Sequence, residues 1–505
     1  MPPVISRLRE VFASPLDEEL LYLLTHLYSI STGKPPVSKI FQLGGVSGLG
    51  YNGYSGVLRR VESLARDYGL GYADSIRASL SHARNPFFRD FLVRLSEALS
   101  AGHDLEGFFR VELESFVAEF KASYARLLET IRVLMGVYIG VLSSVMFLNV
   151  NVALIAYLMA GTIWPAIGIT IISQAALWSL AVFMYTFMPK FRISHSLPVK
   201  PGDHSLFIRL LVLALTLGAL GFIAILSITG SLGLALVALG APLIAPGIVA
   251  YRFERRLRGI NSFLPVMVKN YGLLYATLGN EILVLRSLLR VNIGPLNTLL
   301  RRAYARLSAG VDRRNAWLLF AGESGSEIAR RAVDIIYDSM ETAADMRKVG
   351  ERLGDVIADH INMQKGREQL ARSFQAMLYL MQVILVALAQ FIVTLIQILG
   401  ELLGIARGLP TSILPFAGPA EIPGLALVAT LSLSMAFANA ISMKAVEGGY
   451  GGVIVLHLGA LLALSGVTIV ASSAFSEFLV RTFVEGVRPF ELSVTLAPML
   501  GGVLG

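Results

Sequence analysis

Four glutamines recur every seven or eight residues within a long stretch that carries no charged side chain. They are Gln375, Gln382, Gln390 and Gln397. At 100° per residue, an α-helix would place them within an arc of roughly 80°. A glutamine facing lipid would leave its amide unpaired, so we expect the stripe to face protein. It would then hydrogen-bond helices together, within one chain or across a dimer. A polar conduit through the membrane is the alternative.

Four arginines are candidate docking charges: Arg301, Arg302, Arg313 and Arg314. They lie in residues 252–372, which carry twenty Lys/Arg and thirteen Asp/Glu, a net charge of +7, whereas residues 1–132 carry fifteen of each. Such a basic face can meet anionic lipid, nucleic acid or an acidic protein surface. Because no aromatic-plus-basic motif accompanies the charge, we do not expect nucleic acid as a partner. A simply solvated face is the alternative for each arginine.

Other residue types that support catalysis or cofactor binding are missing or scattered. The glycine-rich residues 44–56 lack the terminal Gly-Lys-Ser/Thr of a phosphate loop, so we interpret them as a flexible connection. The absence of cysteine excludes disulfides, thiolate zinc sites and iron–sulfur clusters. The seven histidines are scattered, and no nucleophile–base pair is evident. We therefore expect no catalytic residue, no cofactor, no metal and no enzymatic activity.

The chain is poor in charge, and the deficit is local. Charged residues make up 15% of its 505 residues, against about 25% in soluble domains. Five runs of more than about 20 residues have no charged residue: residues 133–189, 210–251, 373–400, 422–443 and 448–476. A membrane span needs about 20 apolar residues, so the first two runs allow two crossings each and the others one each. This predicts seven transmembrane helices. In the first run the break could fall near residues 149–151 or near residues 161–165.

The charged segments resemble each other after a shift of 241 positions. Arg60 then falls on Arg301, Gly69 on Gly310, Asp104 on Asp345 and Arg126 on Arg367. The alignment runs without a gap over roughly eighty positions, although identity is low. Each segment reads as a set of amphipathic helices that ends by running into an uncharged stretch. We call residues 1–130 copy 1 and residues 252–372 copy 2.

The distribution of lysine and arginine predicts the orientation. With seven spans, both copies and the short loops that contain Lys190, Arg192, Lys200 and Lys444 fall on one side. The positive-inside rule identifies that side as cytoplasmic. The N-terminus would then be cytoplasmic and the C-terminus extracytoplasmic.

The predicted fold is an all-α integral membrane protein with two homologous cytoplasmic helical-bundle domains. Its predicted parts are a cytoplasmic domain at 1–130, four spans at 131–251 with a cytoplasmic loop near 190–209, a second cytoplasmic domain at 252–372, three spans at 373–476, and an extracytoplasmic tail at 477–505.

The two-copy arrangement resembles the type II secretion F family, the inner-membrane platform proteins of type IV pilus and secretion machines. The resemblance is carried by Pro86-Phe87-Phe88 through Gly102-His103-Asp104-Leu105, and again by Ile328 through Asp345-Met346. The length and the extra spans are more similar to archaeal members, which serve archaella and adhesive pili. Copy 2 departs from the pattern at the turn, where Ala343 stands at the position that corresponds to Gly102 in copy 1.

The resemblance implies a platform without catalytic activity that docks a hexameric secretion ATPase and feeds pilin subunits to a filament. It also implies a homodimer. The four arginines of copy 2 would then be ATPase-docking charges, and the juxtamembrane basic residues 252–258 would contact membrane lipids. The alternative function is the permease subunit of an ATP-driven transporter, although coupling elements of transporters are usually shorter than these domains.

Overall fold

The structure, a computed structural model, describes residues 16–46, 51–158, 164–195, 203–406 and 424–500. This part of the chain is helical and has no β-strand beyond one isolated bridge. In chain order the helices are α1 (Glu18–Ser31), α2 (Val37–Val46), α3 (Asn52–Asp67), α4 (Tyr72–Ser79), α5 (Pro86–Ser100), α6 (Leu105–Leu158), α7 (Trp164–Phe187), α8 (Asp203–Thr229), α9 (Leu232–Leu278), α10 (Glu281–Leu288), α11 (Leu296–Ser308), α12 (Arg313–Ser324), α13 (Glu327–Glu341), α14 (Met346–Ala406), α15 (Gly424–Glu447) and α16 (Ile454–Leu500).

Seven helices of the described part are long and apolar enough to cross a membrane: α6, α7, α8, α9, α14, α15 and α16. The predicted all-α membrane fold with seven spans is therefore confirmed. Helix α6 passes through residues 149–151 without a break and ends at Leu158, and α7 begins at Trp164. Helix α16 continues to Leu500, so no helix end marks the predicted start of the tail after residue 476.

Helix boundaries repeat with the 241-residue shift found in the sequence. Helix α13 begins and ends 241 residues after α5 (86 to 327, 100 to 341), and α14 begins 241 residues after α6 (105 to 346). The turn before each long helix is left-handed, with φ of 70° at Gly102 and 51° at Ala343. Alanine in that conformation costs about 1 kcal/mol or more, and the hydrogen bond from the Ala344 N–H to the Ser339 carbonyl (2.9 Å) helps to hold it.

Helix α1 joins copy 1 to copy 2. It is buried along nearly its whole length and packs against α6, α13 and α14. Buried apolar residues of both copies, from Leu20 to Tyr124 and from Ile260 to Ile361, form one continuous core. At the end of α1, a Cβ on Gly33 would lie 2.2 Å from the Thr342 carbonyl oxygen, so only glycine allows this approach. The copies therefore share a core instead of forming two separate ones.

Pairs of glycines bring the antiparallel helices α9 and α16 into backbone contact within the uncharged region. A Cβ added at Gly233 would lie 2.8 Å from the Gly466 carbonyl oxygen, and one at Gly240 would lie 2.7 Å from that of Gly459. The two pairs are seven residues apart on each helix, so they share one face. Small residues of this kind allow close helix packing in lipid. The contact aligns the charged end of α9 with the start of α16.

Candidate functional site at the membrane boundary

Arg367 lies on α14 just before its uncharged part and holds the ends of two other helices. Its guanidinium donates to the carbonyls of Val446 (2.7 Å), Ala445 (2.8 Å) and Pro189 (2.9 Å), and the residue is 4% exposed. Ala445 and Val446 belong to the last turn of α15, where carbonyls have no partner within the helix, and Pro189 follows α7. A cation is favoured at such C-termini. Arg367 therefore ties α14 to α7 and α15.

The counterpart of Arg367 in copy 1 makes no such contact. Arg126 lies 241 residues earlier on α6, its side chain is 65% exposed, and it pairs with Glu119 at 2.7 Å. The two long helices thus leave their bundles with equivalent arginines in different environments. Of these two arginines, only Arg367 in copy 2 hydrogen-bonds to the ends of other membrane helices.

A buried ionic network surrounds Arg367. Glu254 on α9 accepts from Arg258, from the Lys444 ammonium at 3.5 Å and from the Tyr450 N–H at 3.2 Å. Glu447, at the end of α15, lies 3.5 Å from both Lys444 and Arg258. Removing one partner from such a buried set typically costs about 3–5 kcal/mol. The network therefore fixes the ends of α9 and α15 against each other.

The predicted glutamine stripe divides along α14. Gln375 is near His457, which also contacts the Tyr379 hydroxyl at 2.9 Å. Gln382 is fully buried, donates to the Ser465 hydroxyl (2.8 Å), and accepts from the Asn439 amide (2.8 Å). Asn439 in turn accepts from the Tyr138 hydroxyl of α6.

The two distal glutamines differ from these. Gln390 is half-buried, and Gln397 is exposed on the surface of the single chain. The first half of the stripe thus joins α6, α14, α15 and α16 within one chain. The second half leaves an amide on the outer face of α14.

The four candidate docking arginines are exposed, and two of them have ionic partners within the chain. Arg302 lies 3.4 Å from Glu323, and Arg313 lies 3.0 Å from Glu281. The guanidinium of Arg314 stacks over the Tyr337 ring at 5.5 Å. The sequence could not separate the four, because charge and spacing do not show which side chains meet across helices.

A second buried ionic cluster, which the sequence did not predict, lies between α1 and α13. Arg331 is 3.0 Å from Glu327 and donates to the Glu18 backbone carbonyl at 3.3 Å. His26 of α1 lies 3.0 Å from Asp338. The signal in the sequence was weak: polar residues such as Thr25 and His26 within an otherwise apolar helix.

The pKa values of the two glutamates beside Arg331 are shifted in opposite directions. Burial raises the pKa of Glu18 to about 7, partly opposed by Arg331. Burial would also raise the pKa of Glu327, but hydrogen bonds and charge from Arg330 and Arg331 outweigh it and hold that pKa below its usual value. The cluster is therefore an ionic contact whose strength depends on pH.

These sites consist of ion pairs and hydrogen bonds that join helices to one another. Within the described ranges, no group of three or more His, Cys, Asp or Glu is placed to hold a metal ion. The chemistry that the arrangement supports is the joining of helices by charge and hydrogen bonds.

We expect Glu18→Gln and Glu327→Gln to change stability in opposite directions. The pKa of Glu18 is 4.5 in the unfolded chain and about 7 in the fold. Between these pH values the folded protein keeps a proton on Glu18 that the unfolded chain has released, so the contribution of Glu18 to stability falls as pH rises. Glu18→Gln should therefore stabilise the protein at pH 8, by up to about 3 kcal/mol, and change little at pH 5. Glu327→Gln should destabilise it at both pH values. Thermal unfolding of the full chain in detergent measures both, and destabilisation by Glu18→Gln at pH 8 would contradict the assignment.

Comparison with known proteins agrees with the resemblance seen in the sequence. The family described as "Type II secretion system (T2SS), protein F" matches residues 47–153, which cover α3–α5 and most of α6. The chain is also similar to the Flagella accessory protein J of Methanocaldococcus jannaschii, with 23% identity over 417 residues, 79% of this chain and 74% of that protein. No solved structure matches the chain. Residues 47–153 therefore match the type II secretion F family, and the chain is similar along most of its length to an archaeal accessory protein.

Proposed function

We propose that this protein docks a hexameric cytoplasmic secretion ATPase and couples its motion to pilin extraction and filament assembly. The match of residues 47–153 to the family and the similarity to the archaeal relative support the coarser statement, a multi-pass membrane platform of a pilus- or archaellum-like assembly system. The proposal that motion is coupled to the membrane helices rests on one observation: Arg367 donates hydrogen bonds to carbonyl groups at the ends of α7 and α15.

Helix α14 provides the lever that this function needs. It runs for 61 residues from copy 2 into its uncharged part, about 90 Å at 1.5 Å per residue. A rotation or displacement of copy 2 would move α14 as one rod. Arg367 would pass that movement to α7 and α15 where the rod enters the membrane.

We expect Arg367→Gln to abolish filament assembly while the protein still inserts and still captures the ATPase. The glutamine amide is shorter and has two N–H groups where arginine has five, so at least one of the carbonyls of Pro189, Ala445 and Val446 loses its donor, at about 1 kcal/mol or more. Arg126→Gln is the matched control, because its side chain is exposed. Electron microscopy of filaments, with immunoblots of the membrane fraction, gives the result. Normal filaments in the Arg367 variant would refute the coupling role.

The docking proposal rests on the exposed basic face of copy 2. Arg302 and Arg313 are engaged with Glu323 and Glu281, so reversing them would also break internal ion pairs. Arg301 and Arg314 are better probes, because both are exposed and neither change breaks one of these pairs.

We expect the double variant Arg301→Glu, Arg314→Glu to reduce capture of the partner ATPase severalfold at moderate salt, through repulsion of its acidic surface. Arg60→Glu is the matched control, since Arg60 is exposed and is the copy 1 counterpart of Arg301. A pull-down with the full chain in detergent measures capture. Undiminished capture by the double variant would exclude this face as the docking surface.

The function requires both copies to face the cytoplasm, and we propose this orientation from the positive-inside rule. The turn between α8 and α9 would then be extracytoplasmic. Because the chain has no cysteine, single cysteines can report the two sides of the membrane. One replaces Thr229, the last residue of α8 next to this turn, and the other replaces Tyr68 in copy 1. A membrane-impermeant thiol reagent added to intact cells should label Thr229→Cys directly and Tyr68→Cys only after permeabilisation. The opposite pattern would reverse the topology.

A further inference from the structure

An extended segment from the loop after α7 is bound at the turn between α12 and α13. The Glu327 N–H donates to the Ile193 carbonyl at 3.0 Å, and the His195 N–H donates to the Gly325 carbonyl at 3.3 Å. Ser194 and Ser326 form an isolated antiparallel bridge. His195 is 5% exposed, and its Nε2 lies 3.0 Å from the Gly322 carbonyl oxygen. Copy 2 thus receives three residues of extended chain as if they were a short edge strand.

The equivalent place in copy 1 is an open groove of about 430 Å³. Under the 241-residue shift, Gly325 and Ser326 fall on Arg84 and Asn85, which form part of its wall. The start of α3, with Gly53, Tyr54 and Val57, forms a second wall, and Asp17 and Glu19 form an acidic edge. We call this the copy 1 groove. No described segment of the chain occupies it.

The copy 1 groove lacks one backbone N–H donor that its counterpart in copy 2 uses. Where Glu327 donates its N–H to Ile193, copy 1 has Pro86, which has no N–H. The Arg84 carbonyl corresponds to the Gly325 carbonyl that accepts from His195. An extended segment in the copy 1 groove would therefore make one backbone hydrogen bond fewer and would bind more weakly, so it could be displaced.

We propose that the copy 1 groove binds an extended segment of this chain's own N-terminus centred on Ile5-Ser6-Arg7. This tripeptide has the same apolar–serine–basic order as Ile193-Ser194-His195. Residues 1–15 lie outside the described part and join the fold at Leu16, beside Asp17 in the groove wall. The basic Arg7 complements the acidic edge of Asp17 and Glu19.

The length of the connection allows this binding. The ten positions from Ser6 to Leu16 can span up to about 33 Å when extended, which is enough for the segment to turn back into the groove. The bound segment would cover the side of α3 and the α4–α5 turn that is open in copy 1. The inference does not depend on the proposed function, because it concerns only how the chain binds itself.

Cysteine pairs in the otherwise cysteine-free full chain test this proposal. Ser6→Cys is combined with Gly53→Cys, since a Cβ at Gly53 meets nothing within 4 Å. Ser6→Cys with Tyr68→Cys is the matched control, because Tyr68 is 75% exposed and follows α3 at its far end, about 22 Å from Gly53. Both are treated in nanodiscs with a short bifunctional maleimide. Intramolecular cross-linking should be severalfold faster for the first pair.

A third variant and a mixing experiment test whether the segment binds the groove and whether it comes from the same chain or from a second copy. Ile5→Asp added to the Ser6/Gly53 pair should lower its cross-linking rate to that of the control, because a carboxylate enters an acidic groove. Equal rates for the two pairs, or no effect of Ile5→Asp, would overturn the proposal. Mixing chains that each carry one cysteine tests a second copy as the occupant. If cross-linked dimers form in place of the intramolecular product, the segment binds in trans and the proposal fails.

Discussion

The last carbonyl groups of α15 are buried, where water cannot satisfy them, and Arg367 supplies donors to them and to the half-buried Pro189 carbonyl after α7. Much of the arrangement at the membrane boundary depends on this one contact. The arginine sits on the longest helix of the described chain, so its position is tied to copy 2. Around it, Glu254, Arg258, Lys444 and Glu447 balance their charges and hold α9 against α15.

The two copies share a helix plan but differ in what their equivalent positions do. Arg367 grips carbonyls where Arg126 faces solvent. The turn at Gly325 binds an extended segment where the turn at Arg84 borders an open groove. These differences attach copy 2 to the ends of other membrane helices and leave the corresponding groove of copy 1 open.

The shared core limits how the bundles can move. Because α1 packs against α6, α13 and α14, a large separation of the copies would expose buried apolar residues of both. Motions that keep this core intact, such as rotation of both bundles together, cost less. The ionic cluster of Glu18, Glu327 and Arg331 lies in the same interface, so changes in its charge state would alter how firmly the copies hold together.

The sequence alone determined the seven spans, the helical class, the resemblance to the type II secretion F family and the 241-residue spacing, and the structure and comparisons bear out the first three. These features follow from local rules: uncharged runs are cheap to insert, and helix periodicity is visible over a few turns. Only the tertiary structure decided which charged residues are buried. Arg367 and Arg126 look alike in sequence, and Gln382 looks like Gln397. The environments of Arg367 and Gln382 depend on Ala445, Asn439 and Ser465, which lie 57 to 83 residues away in sequence. An amphipathic pattern shows that a face must be covered but not which helix covers it.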